Sequence, residues 1–189
     1  DQEQEHLAAY AARHHVTLFQ LFLAAYGFML AKLAGTEKVV IGVPISGRNH
    51  PEMVRTIGMF VKTLPLMLDI SGRDFESFLS DTHERFTALW EHQDTSLEYL
   101  SELIKPARLS SGRLFYDVMI NYIPLPQPLP DVPGLHPQIV RGTYPGALFD
   151  LVLDVREEEN GLSAVFTYAG QLFSAAMTEQ WGAAFKELL

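Results

Sequence analysis

The segment V-T-L-F-Q-L-F-L-A-A-Y-G-F-M-L-A-K-L-A-G, residues 16–35, constrains the fold more than any other part of the chain. Thr17 followed by Gln20 has the form of a capping box, in which each side chain satisfies a free backbone amide of the other. Val16 and Leu21 stand at the flanking staple positions. A helix started there runs to Ala34 and meets Gly35, a favoured left-handed stop. It is apolar nearly all round, so other elements have to cover it on most sides. K-V-V-I-G-V-P-I, residues 38–45, follows at once. This β-branched run bounded by Gly and Pro is a buried strand by pattern. A covered helix beside a buried strand calls for a sheet layered with helices.

The rest of the chain extends that picture. Residues 2–13 read as a helix with Leu7, Ala8, Ala11 and Ala12 on one side. The stretch 46–52 is a loop, 53–60 a short helix or turn, and 61–70 a strand. Residues 74–91 form an amphipathic helix with Phe75, Phe78, Leu79, Thr82, Phe86, Leu89 and Trp90 at helical spacing. A second capping box, Thr95 with Glu98, opens the helix S-L-E-Y-L-S-E-L-I, which Pro106 ends. R-L-F-Y-D-V-M-I-N-Y-I, residues 113–123, reads as a strand. Residues 124–137 carry six prolines and form an extended crossing segment. Residues 148–169 form a hairpin with Asn160–Gly161 suited to its turn. A closing helix capped by Ser174 carries Trp181, Phe185 and Leu188 inward. The expectation is α/β (α+β), one domain over residues 1–189, with a mixed sheet of about five strands flanked by helices.

Composition removes several classes of function. A net charge of −9 leaves no surplus of Lys and Arg to displace counterions from a nucleic acid. With no cysteine there is no disulfide, thiolate metal site or Cys nucleophile, which suits a cytoplasmic protein. No signal peptide is visible, and every apolar run is broken before it could span a bilayer. The chain opens helix-like and without Met, as expected of a piece of something longer.

Ser46 lacks the glycine two residues earlier that a nucleophile elbow needs. No phosphate-binding glycine loop is present. His6, His14 and His15 form no closed ligand set with carboxylates at helical spacing, so no metal site is expected.

The segments G-V-P-I-S-G-R (42–48) and I-G-M-F-V-K-T-L-P (57–65) resemble the paired signature of nonribosomal peptide synthetase condensation domains. In that family a strand ending G-x-P-x-x-G-R precedes I-G-x-F-V-N-T-L-P. H-Q-D-T-S-L-E (92–98) is similar to the family's H-Q-D-x-P-F-E, and residues 108–122 to its R-x-x-S-x-x-P-L-F and following strand. Residues 148–173 resemble its closing F-D-L hairpin. The family's catalytic motif is H-H-x-x-x-D-G. Placed on His14–His15 it would need Asp and Gly where the chain has Phe19 and Gln20. The pair instead falls at a variable position, often Gly, ahead of V-T-L. The chain therefore resembles the carboxy-terminal lobe alone, with no catalytic residue of its own.

The resemblance implies a chloramphenicol-acetyltransferase-like lobe forming one wall of a tunnel. There a carrier-bound aminoacyl or peptidyl thioester is attacked by a carrier-bound amine. No cofactor is bound directly; substrates arrive on the phosphopantetheine of peptidyl carrier proteins. The implied partners are the amino-terminal lobe, those carriers and an adenylation domain, with no nucleic acid and no membrane. Alone, the lobe is expected to be inactive and to self-associate. Gly42, Pro44, Ser46, Gly47 and Arg48 either shape the tunnel-facing strand end or only make a tight turn. Ile57, Gly58, Phe60, Lys62, Thr63 and Pro65 match the second signature, with Phe60 read as core. Lys62 replaces the family Asn and either brings a cation to the acceptor path or points to solvent. His92, Gln93 and Asp94 are helix-end groups that fix local geometry. Two other readings stand beside this one: a non-catalytic carrier-docking lobe, and a lobe of a related acyltransferase.

Overall fold

The computed structural model describes residues 2–105, 109, 111–125, 134–135 and 146–189. The expected proline-rich crossing therefore lies largely outside the described residues.

Helix α1 spans Gln2–Arg13 and α2 spans Leu18–Ala34. The capping box of α2 is formed in both directions: the Gln20 amide donates to Thr17 Oγ1 at 3.2 Å and the Thr17 amide to Gln20 Oε1 at 2.9 Å. The two helices are bent through 94°. Between them, the His15 amide donates to the Ala12 carbonyl and the Val16 amide to the Ala11 carbonyl. That double closure is a Schellman ending for α1, and His15 is its left-handed residue with φ 56°. The histidine pair is thus a helix terminator, and the position prefers glycine because a Cβ is strained there. His15→Gly should raise stability by about 0.5–1 kcal/mol, the relieved strain being partly offset by the freer unfolded chain. A melting temperature about 2 °C higher would show it, and an unchanged or lower one would sink the idea.

Helix α2 is the centre of the core, with Leu21 through Gly27 all buried. Tyr26 is fully buried, and among the described residues its hydroxyl has no hydrogen-bond partner. Burial pushes its phenol far above the ordinary range. Removing a desolvated, unpaired hydroxyl is favourable, so Tyr26→Phe should add about 1 kcal/mol in a urea melt.

Strand β1 (Lys38–Ile45) and β2 (Lys62–Asp69) pair antiparallel, joined by a loop containing the short α3 (Pro51–Val54). Then come α4 (Phe75–Glu91), α5 (Leu97–Ile104), β3 (Val118–Ile123), β4 (Leu151–Glu158), β5 (Gly161–Tyr168) and α6 (Ala175–Leu188). Among the described residues five strands lie in the order β2-β1-β3-β4-β5, with parallel pairing at β1–β3 and β3–β4 and antiparallel pairs outside. Alternate residues of β1, β2 and β4, namely Ile41, Val43 and Ile45, Leu64, Leu66 and Leu68, and Leu151, Leu153 and Val155, are buried in one cluster with α2, Phe78, Leu79 and Phe185. Gly42, Pro44, Thr63 and Pro65 alternate with them and face away from that core. Pro65 sits on the edge strand, where a missing amide hydrogen is tolerated.

Four expectations shift. The cap of α5 is Ser96, whose Oγ accepts the Tyr99 amide at 3.1 Å. The Thr95 amide closes a turn onto the His92 carbonyl at the end of α4, so it is not free to complete a box with Glu98. The third strand starts at Val118, since Arg113 and Tyr116 ahead of it are drawn into contacts around Phe149. The hairpin loop is Glu159–Asn160, and Gly161, at φ 146°, is already paired with Glu158. Finally, Leu188 is 39% exposed and Trp90 45% exposed, whereas Phe185 is buried as its spacing predicts. Among the described residues no single helix is long and apolar enough to cross a membrane.

Candidate functional site

The two signature segments meet at one end of β1 and β2. Where β1 ends, Ser46 Oγ accepts the Arg48 amide at 3.4 Å, and Gly47 turns the chain at φ 65°. A Cβ on Gly47 would stand 2.1 Å from the Phe60 carbonyl oxygen, so the two loop strands touch backbone to backbone here. Arg48 then reaches across the loop. Its guanidinium donates to the carbonyls of Met53, of Thr56 at 2.9 Å and of Gly58 at 3.1 Å. It also lies over the Phe60 ring, 4.6 Å from the centroid. One planar cation thus collects three carbonyls and an aromatic face, a fit that a lysine could not make. Phe60 is half-buried under that cation and lies outside the main core cluster, which corrects its reading as core. Ile57 and Met59 stand fully outward at 101% and 94% exposure.

Lys62, the first residue of β2, turns to the end of α4. Its Nζ lies 3.3 Å from the Gln93 carbonyl oxygen and 3.5 Å from Asp94 Oδ1. Asn49 Nδ2 donates to Asp94 Oδ2 at 2.9 Å. Gln93 is buried, and its Nε2 donates to the Trp90 carbonyl at 2.9 Å. His92 is exposed and ends α4 as its cap residue. So the lysine at the family's Asn position is tied to the H-Q-D segment. The bond is between partly exposed groups, and such pairs contribute about 0.2–1 kcal/mol. Lys62→Met and Asp94→Asn should each cost no more than that, yet both should speed amide exchange across residues 47–61. Equal exchange protection in wild type and both variants would sink the link.

A third group was not foreseen from the sequence. A Cβ on Gly42 would stand 2.4 Å from the Tyr116 ring, which lies across β1 on the face away from the core. The Tyr116 hydroxyl donates to the Thr63 carbonyl at 3.4 Å, and burial pushes its phenol upward. Its ring stacks on Phe149 at 5.7 Å and 26°. Arg113 lies over the Phe149 ring, 5.2 Å from its centroid, donating to Asp117 at 2.8 Å, Asp150 at 2.9 Å and the Leu148 carbonyl at 2.8 Å. Arg113 occupies the position of the family proline before Leu-Phe. The only sequence signal for Tyr116 was the glycine it rests on. Pro44 pairs with Thr63 and Pro65 with Gly42, so these predicted residues share one patch with Tyr116. His14 and His15 are not part of it.

A mixed sheet with helices packed on its core face, and signature loops gathered at one end, defines a two-layer α/β lobe. The Condensation domain family model matches residues 1–189, and the chain belongs to that family. It is 36% identical to tyrocidine synthase 3 of Brevibacillus parabrevis over 188 residues, which is 98% of this chain and 3% of that protein. Its fold is similar to the first condensation domain of the calcium-dependent antibiotic synthetase in complex with a substrate analogue (TM-score 0.77, 22% identity), covering 99% of this chain and 41% of that one. It is also similar to part of holo-AB3403, a four-domain nonribosomal peptide synthetase bound to AMP and glycine (TM-score 0.81, 22% identity, 98% of this chain, 15% of that one). The chain thus spans less than half of the solved condensation domain it matches.

Proposed function

We propose that the chain is the carboxy-terminal lobe of a nonribosomal peptide synthetase condensation domain. In this reading it forms one wall of a tunnel in which a carrier-bound amine attacks a carrier-bound aminoacyl or peptidyl thioester. The observation that carries it is the convergence of three family segments: Arg48 on Gly58, Lys62 on Gln93 and Asp94, and Asn49 on Asp94. Contacts of this kind make a rigid wall without supplying a base or nucleophile. The lobe's contribution is to hold two reactants in register, where most of the acceleration of a bimolecular step can originate. The catalytic His, as base or positioning group, belongs to the H-H-x-x-x-D-G motif of the other lobe, and the substrates come on phosphopantetheine arms of peptidyl carrier proteins, one charged by an adenylation domain.

The test compares the complete condensation domain with the isolated chain, each supplied with two aminoacyl-loaded carrier proteins. Dipeptidyl carrier is expected from the complete domain only. Product from the chain alone, or none from the complete domain with any carrier pair, would overturn the reading. Val54, Ile57, Met59 and Val61 are all more than half exposed, so the isolated chain should self-associate. A monodisperse monomer at high concentration in light scattering would contradict that.

A further inference from the structure

Gly42 marks the place where the sheet opens. Strands β1 and β3 pair only at Ile41–Val118 and Gly42–Met119, whereas β3 and β4 pair without a break from Val118–Leu151 to Ile123–Arg156. Beyond Gly42, β1 carries Pro44, which has no amide hydrogen for a neighbouring strand. The Tyr116 ring lies at the start of this seam, over the bare backbone of Gly42. It crosses β1 from the β3 side and reaches the Thr63 carbonyl of β2. It is held from behind by Phe149, which Arg113 covers. Arg113 is in turn fixed by two carboxylates and a carbonyl. The ring is therefore a fixed feature among the signature residues Gly42, Thr63 and Pro65.

We propose that Tyr116 is a specificity-determining residue: its ring fills the start of the β1–β3 seam and limits the size of the aminoacyl side chain accepted there. This rests on the condensation reading above. A wall filled by a phenol ring favours a small side chain on the carrier-bound substrate, and removing the ring opens room for a larger one. The hydroxyl helps only to hold the ring, so its loss should leave selectivity unchanged.

The experiment uses the complete condensation domain and its carrier proteins, with alanyl- and phenylalanyl-loaded carriers competing first as acceptor and then as donor. Tyr116→Ala should raise the phenylalanyl-to-alanyl product ratio about tenfold or more in one of the two positions, the scale on which a pocket distinguishes apolar groups. Tyr116→Phe should keep the wild-type ratio. Tyr116→Val, which removes the ring but keeps a β-branched strand residue, should shift the ratio in the same direction as alanine. It serves in place of alanine if that variant fails to fold. An unshifted ratio in a folded variant lacking the ring, in both positions, overturns the proposal, as does an equal shift in Tyr116→Phe. Absence of any product from wild type instead overturns the condensation reading on which the proposal rests.

Discussion

Replacing Gly47 by alanine should destabilise the protein by about 3 kcal/mol or more and loosen the whole corner around Arg48. Two independent penalties add at this position. The backbone sits at φ 65°, where an L-residue with a Cβ is strained by about 1–2 kcal/mol. The new Cβ would also stand 2.1 Å from the Phe60 carbonyl oxygen, a backbone atom that no rotamer change can move aside. The two loop strands would have to separate, and Arg48 would lose its line to the Gly58 carbonyl and the Phe60 ring. Gly72 is the internal control: it has φ 62° and nothing within 4 Å of where a Cβ would stand, so Gly72→Ala carries the backbone strain alone. Thermal melts of the two variants should therefore differ by about 4 °C or more, Gly47→Ala being the lower. Equal melting temperatures would mean that the contact with Phe60 gives way freely, and the rigid-corner account of the G-R segment would fall.

How far the residues alone reveal such contacts depends on how local each contact is. The capping box of α2 was legible because both partners lie within three positions, so the pattern contains the whole interaction. The cap of α5 was misplaced by one residue because Thr95 fits the local pattern but is taken by the turn that ends α4. That competition is set by a neighbouring element and leaves no trace in a four-residue motif. The strand pattern placed Lys62 at the start of a strand and left its direction open between acceptor path and solvent. The direction depends on the position of the α4 end, which lies 31 residues further on and comes alongside only through the packing of α4 on β2. Family resemblance supplied the site residues as a set. Their meeting at one end of the sheet comes from β1–β2 pairing and from Arg48, whose three carbonyl acceptors carry no side-chain signal at all. Tyr116 was invisible for a related reason: it is 53 residues from Thr63 and its partner at Gly42 is an absence of atoms.

That absence can be tested directly. Gly42→Val should destabilise the protein by about 2–3 kcal/mol, because the added side chain and the Tyr116 ring claim the same space and overpacking forces one of them out. A valine would otherwise suit a strand better than glycine does, so a milder result would be expected if the position were merely open. Tyr116→Ala alone should cost about 1–2 kcal/mol through the lost Phe149 stacking and the bond to Thr63, less than a fully buried aromatic because the ring is only half-buried. The double variant Gly42→Val/Tyr116→Ala is the informative one. With the ring gone the valine meets no obstacle, so its penalty should largely vanish and the two changes should be non-additive by about 1–3 kcal/mol. Urea melts of the four proteins measure that coupling in this chain without any substrate or partner. Additive losses would show that the ring does not rest on Gly42, and would remove the structural ground for assigning Tyr116 to the seam. A strong coupling together with unchanged substrate selectivity would keep the ring in place as a fold element and confine the role of the seam to holding β1, β2 and β3 together.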